Sequence, residues 1–234
     1  MSKLSRMPRR RSYDQYCAAA RALDAVGDRW TLLIVRELLA GPRRYTDLHA
    51  DLPGVSTDVL ASRLKDMERD GLATRRKLPP PAAAYVYELT ERGRGLLPVL
   101  GALAEWGAPA LRERLPTDAV RAHWFAVPLL RALSGPAGPQ AEGVVEVRLD
   151  EGVFHLRLGA AGPAGEGVDG TEGVHGSEGV YGDGPAGRPD ACLVLDAVAC
   201  RELSEGSLTV ADGVRDGRIE VVGDGVLAKA LRGE

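Results

Sequence analysis

Arg75, Arg76 and Lys77 stand in a row just after the stretch "STDVLASRLKDMERDG", residues 56–71. Ser56, Thr57, Asp58 and Ser62 in that stretch are short polar side chains that allow close approach, and Arg63 and Lys65 add two longer cations. Arg43 and Arg44 form a second basic pair upstream. At this spacing these groups form no recognisable set of nucleophile, base and orienting group. They hydrogen-bond flat polar edges, such as those of bases in a major groove, and they neutralise phosphates with release of counterions. A solvated face of any small α+β domain would carry the same types, so that reading stays open beside the first. The rest of the chain offers no nucleophile, base and orienting group at a recognisable spacing and no phosphate loop. Its three cysteines and four histidines form no metal knuckle. No catalytic residues, no metal and no cofactor are expected.

The elements that must position these residues follow from periodicity and punctuation. A helix is predicted over 17–26, with Gly27 as its stop, and Asp28 is expected to cap the next helix, "RWTLLIVRELLA". That helix is apolar nearly all round and belongs in a core. A short helix, "DLHADL", is followed by Pro53-Gly54. Ser56 has the chemistry of an N-cap, Leu60, Leu64 and Met67 share one face of the helix 57–70, and Gly71 supplies its left-handed stop. Residues 72–76 and 85–89 read as antiparallel strands around the loop "RRKLPPPAAA". Thr90 is expected to cap a long helix over 91–114, bent or delayed by Pro98. Helix, helix, short helix, turn, capped helix, strand, loop, strand is the order of a winged helix-turn-helix, with 57–70 as recognition helix and 72–89 as wing.

Charge divides the chain in the same place. Residues 1–116 hold 20 basic and 14 acidic groups and residues 117–234 hold 10 and 19, within an overall net charge of −3. A basic half joined to an acidic one suits two jobs, the first with nucleic acid. No apolar run is long enough for a membrane span, and no signal-type stretch follows the basic amino terminus, so a cytoplasmic protein is expected.

The stretches "GDRWTLLIVRELLAGPRRYTDLHADLPGVSTDVLASRLKDMERDGLATRR" and "YVYELTERGRGLLPVLGALAEWG" resemble the HxlR family of bacterial winged-helix regulators, relatives of the MarR group. Where family members have Arg-Phe-x-Glu-Leu this chain has Arg44-Tyr45-Thr46-Asp47-Leu48. Gly27-Asp28-Arg29-Trp30, residues 60–72, Tyr87 to Gly93 and Trp106-Gly107 match further motifs in order. The resemblance covers about 13–115. It implies a transcriptional regulator that binds double-stranded DNA as a homodimer, held by the N-terminal segment and the 91–114 helix, on a pseudo-palindromic operator. The alanine-rich wing tip departs from the family, so contacts are expected from the base of the wing. In this family a cysteine often stands near the start of the first helix, as Cys17 does, and in some members it senses oxidants or electrophiles. Arg21, one turn on, could lower its pKa if it points the same way, and the plainer alternative is that Cys17 is a small, soft side chain filling a gap near a dimer interface. With no second N-terminal cysteine, a disulfide would have to join subunits.

The second half reads as a helix over 117–133, a hairpin over 143–158, a strand over 191–197, a helix through 203, a short helix, a strand near 218–222 and a final helix. "EGVDGT", "EGVHGS" and "EGVYGD" repeat inside 159–187, which reads as a disordered Gly-rich insertion. "DACLVLDAVACRELSEGSLTVADGVRDGRIEVVGD" resembles sterol-carrier-type domains, which implies a small α/β fold around an apolar cavity. Trp124, Phe125 and Leu129 are candidate walls for a small apolar ligand. The expectation is therefore an α+β chain: a flexible basic tail over 1–12, a winged helix-turn-helix over 13–115 and a sterol-carrier-like domain over 116–234. Its expected function is regulation of transcription, modulated by an apolar ligand or by Cys17. The alternative is a lipid-carrier or ligand-binding protein whose first half is a dimerisation scaffold.

Overall fold

The structure, a computed structural model, describes residues 12–82, 84–112, 115–134, 141–159 and 179–234. The first half runs α1 (Ala18–Val26), α2 (Thr31–Leu39), β1 (Arg43–Arg44), α3 (Tyr45–Asp51), α4 (Thr57–Arg69), β2 (Ala73–Lys77), β3 (Tyr85–Leu89), α5 (Glu91–Arg94) and α6 (Leu97–Gly107). Its sheet has the order β1-β3-β2, antiparallel throughout. This is a winged helix-turn-helix, with α3 and α4 as its two motif helices and β2–β3 as its wing.

Local chemistry accounts for most boundaries. The Ser56 hydroxyl accepts a hydrogen bond from the Val59 amide at 3.3 Å, and Leu60, Leu64 and Met67 of α4 are buried. Gly71, at φ +66°, turns the chain out of α4. Thr90 accepts from the Gly93 amide at 3.1 Å and donates to the Gly71 carbonyl at 2.6 Å, joining the end of the wing to its beginning. Gly93 lies so close to Leu72 that a Cβ there would run into the Leu72 carbonyl oxygen.

Several expected boundaries differ. Asp28 does not cap α2 through its side chain; its carboxylate pairs with Arg63 instead. The long helix expected over 91–114 is three pieces: α5, α6 and a 3₁₀ turn at Ala108–Arg112. Gly95 ends α5, and Pro98 sits in the first turn of α6, where its missing N–H costs no hydrogen bond. The helix expected from 117 starts as a 3₁₀ turn at Ala122–Phe125 and becomes α7 at Ala126–Ser134. The extended backbone of Arg121 and the partners taken by His123 and Trp124 hold back the start.

The second half continues with β4 (Gly143–Leu149), β5 (Gly152–Leu158), β6 (Tyr181–Asp183), β7 (Ala191–Val194), α8 (Ala197–Glu205), α9 (Val210–Arg215), β8 (Glu220–Val222) and α10 (Val226–Arg232). The strands form one sheet of order β6-β5-β4-β7-β8, in which only β4 and β7 run parallel. β7 stops before 197 because Asp196 caps α8, its carboxylate accepting from the Ala199 amide at 2.6 Å. Of the insertion expected over 159–187, residues 160–178 lie outside the described residues. From 179 onward the chain is ordered and adds β6 to the sheet, with Tyr181 buried. Of the tail expected over 1–12, residues 1–11 likewise lie outside, while Ser12 donates to Asp24 at 2.9 Å.

The two halves share their core. One connected apolar cluster runs from Ile34, Leu38 and Leu64 through Leu129 and Leu133 to Phe154, Leu156 and Leu193.

Candidate nucleic-acid interface

Helix α4 buries one face and leaves the other in solvent. Ser56, Thr57, Asp58, Ser62 and Lys65 are all exposed. The first turn of α4 is therefore open to a partner, and none of the described residues of the second half covers it. Tyr45, the first residue of α3, donates its hydroxyl to the Thr57 carbonyl at 2.7 Å, which fixes the angle between the two motif helices.

The seven basic candidates divide by what they already hold. Arg75 and Lys77 are exposed on β2. Arg75 lies 3.9 Å from the centroid of the Tyr85 ring, its diagonal partner across the strand pair. Arg76 alternates to the other face and pairs with Glu88 at 3.2 Å. Arg44 is exposed, and its backbone amide donates to Asp47 at 3.3 Å. Arg43 is mostly covered and lies 3.9 Å from both Asp51 and Asp183. Arg63 turns back along α4 to pair with Asp28 and Asp66. Among the described residues, Arg44, Lys65, Arg75 and Lys77 are the members of the set outside any ion pair. The Ala83 position at the wing tip lies outside the described residues.

A family model described as HxlR-like helix-turn-helix matches residues 25–114. The uncharacterized HTH-type transcriptional regulator YvaP of Bacillus subtilis strain 168 is 38% identical over 86 residues, spanning 37% of this chain and 80% of that one. This chain belongs to the HxlR-like helix-turn-helix family. The HTH-type transcriptional regulator YodB of the same organism is 34% identical over 85 residues, spanning 36% of this chain and 76% of YodB. The structure of YodB in its reduced form is 30% identical, covers 44% of this chain and 100% of that one, and superposes with a TM-score of 0.38. The family is one of helix-turn-helix transcriptional regulators. The family match ends at 114, so the second half lies beyond it.

The candidate residues outside this set can be placed too. Cys17 is exposed at the position before α1. The amides of Ala20 and Ala19 point at its sulfur and hold the thiol below its ordinary pKa. Arg21 is turned 3.7 Å toward Asp24 and plays no part in that lowering. Leu129 is fully buried in the shared core, and Trp124 and Phe125 are half-buried. A cavity of about 20 Å³ lies between Leu38, Leu39, Leu89 and Val180, room for about one water, and none of the three lines it.

Trp124 belongs instead to a polar junction between the halves that sequence periodicity did not reveal. Glu37 of α2 is completely buried. Its carboxylate accepts from Arg36 Nε at 2.8 Å, from Trp124 Nε1 at 3.1 Å and lies 2.8 Å from His123 Nε2. The Arg36 guanidinium sits 4.4 Å over the Trp124 ring. Burial works against ionisation of Glu37, but His123 and Arg36 outweigh it and the carboxyl titrates below its usual range. Tyr181 donates its hydroxyl to the Arg36 carbonyl, and the Val180 amide donates to the Leu39 carbonyl at 3.0 Å. Arg121 reaches α3, 3.7 Å from Asp51. Burial and the nearby Glu37 raise the Asp51 carboxyl. Glu37, Asp51 and His123 each bring one potential metal-ligand atom to within 4.8 Å of the others. Arg36, Arg43 and Arg121 already balance the carboxylates there. The signals available in sequence were an Arg-Glu pair inside a mostly apolar helix and a His-Trp pair about 86 residues later.

Proposed function

We propose that this protein binds duplex DNA as a homodimer, placing the first turn of α4 in the major groove and the base of the wing on the flanking backbone. The observation that carries the reading is the open face of α4 beside the exposed Arg75 and Lys77. Ser56, Thr57, Asp58 and Ser62 would meet base edges, and Arg44, Lys65, Arg75 and Lys77 the phosphates. Arg43, Arg63 and Arg76 hold ion pairs within the chain and would first have to exchange them. Dimerisation is supported by a run of exposed apolar side chains on α1, α6 and the turn after it, namely Leu23, Leu103, Trp106 and Leu111, which isolated monomers seldom leave in water. We read 116–234 as sterol-carrier-like, supported by β7, the Asp196 cap, α8, α9, β8 and α10 in that order. Of the two modulators considered, the geometry favours Cys17, exposed and activated, over an apolar ligand at Trp124, Phe125 and Leu129, whose side chains are engaged in the junction and the core.

The test is binding to fragments of the protein's own promoter region at several salt concentrations. Log affinity should fall linearly with log salt. Arg75→Ala with Lys77→Ala should weaken binding about equally on all sequences and reduce the slope by about two. An affinity that ignores salt, with no preference over random DNA, overturns the reading.

A further inference from the structure

Asp28 and Trp30 pin the turn between α1 and α2 to the helix-turn-helix on either side of Arg29. The Asp28 carboxylate pairs with Arg63, whose guanidinium is mostly covered and also holds Asp66 at 3.0 Å. The Trp30 ring reaches the turn between α3 and α4, 4.0 Å from where a Cβ on Gly54 would stand. Arg29 lies between these anchors and is exposed, its guanidinium 5.6 Å from the centroid of the Trp30 ring. The turn therefore runs beside the first half of α4, along the flank that carries Arg63 and Asp66.

Other positive charge on that flank is already taken. Arg63 is shared between Asp28 and Asp66, and Arg69 lies 2.8 Å from Asp66 and 3.5 Å from Asp70. Among the described residues, Arg29 is the cation of this turn outside any ion pair. Lys65 stands nearly opposite Arg63 around α4 and serves the other flank. A helix seated in the major groove has a phosphate strand on each side of it, so a cation on each flank meets a backbone.

We propose that the α1–α2 turn is a further contact with duplex DNA, in which Arg29 neutralises a backbone phosphate. The inference rests on the DNA-binding reading above and extends it to an element outside the two motif helices and the wing. Arg63 stays paired in this arrangement, so its guanidinium fixes the turn and does not touch the duplex. A turn held in place before binding has less freedom to lose when the phosphate arrives.

The test uses the full chain and a duplex fragment of its own promoter region. Arg29 is exposed, so its variants should fold. Arg29→Ala should weaken binding about fivefold per protomer at about 0.15 M salt, equally on promoter and random DNA, as loss of one phosphate contact requires. It should flatten the salt dependence by about half as much as Arg75→Ala with Lys77→Ala. Arg29→Lys should keep the wild-type slope. Arg215→Ala, which removes an exposed cation from α9 in the second half, should keep it too. A slope that Arg29→Ala leaves unaltered, while loss of Arg75 and Lys77 still lowers it, overturns the inference and leaves the DNA reading standing. An equal drop in Arg215→Ala also overturns it, since overall charge and not a contact would then be responsible. A wild-type affinity without any salt slope removes the DNA reading and this inference together.

Discussion

At the scale of single residues, identical side chains differ by what surrounds them. The three cysteines illustrate this. Cys17 is exposed, and the amides of Ala20 and Ala19 favour its thiolate, whereas burial pushes the thiols of Cys192 and Cys200 up. Since the thiolate is the nucleophile, iodoacetamide at neutral pH should label Cys17 first and spare the other two until the chain unfolds. Peptide mass spectrometry over a time course measures this, and early labelling of Cys200 would contradict the packing described. The same principle separates Lys65 from Arg63: two positions, about 200° around the helix, leave the first in solvent and the second between Asp28 and Asp66.

At the scale of elements, the joint between α4, the wing and α5 rests on small contacts. Gly93→Ala would drive a methyl into the Leu72 carbonyl, and repairing the overlap should cost about 1–3 kcal/mol. Ser56→Ala removes the acceptor for the Val59 amide and should cost about 1 kcal/mol. Urea melts of both variants check the ranking, with Gly93→Ala the more damaging or equal. The sequence displayed this region well because its determinants are local: an N-cap, an apolar face at i, i+4 and i+7, and a glycine stop. Helix breaks at Gly95 and the delayed start of α7 were harder to see, since one depends on where Pro98 falls within a turn and the other on partners far along the chain. β6 escaped because a three-residue strand is specified by Tyr181 fitting against α2, not by any pattern around it. Of the candidate interface, the residue types were legible, but only geometry could distinguish Arg75, stacked and open, from Arg43, spanned by two carboxylates.

At the scale of the whole molecule, Glu37 concentrates the dependence of one half on the other. Glu37→Ala would strand Arg36 and the buried His123 without their shared partner, so a loss of about 3–5 kcal/mol is expected. With a core continuous across the halves, calorimetry should record one cooperative transition for the wild-type chain. Two resolved transitions would show the halves to be energetically separate. That continuity also bears on how such a regulator can be re-engineered. Leu38 and Leu39 meet Val180 across a seam that neither side could line alone, so residues 116–234 are no interchangeable cassette. Grafting a foreign sensor onto the reader of this chain would have to rebuild the buried flank of α2 before any signal could cross.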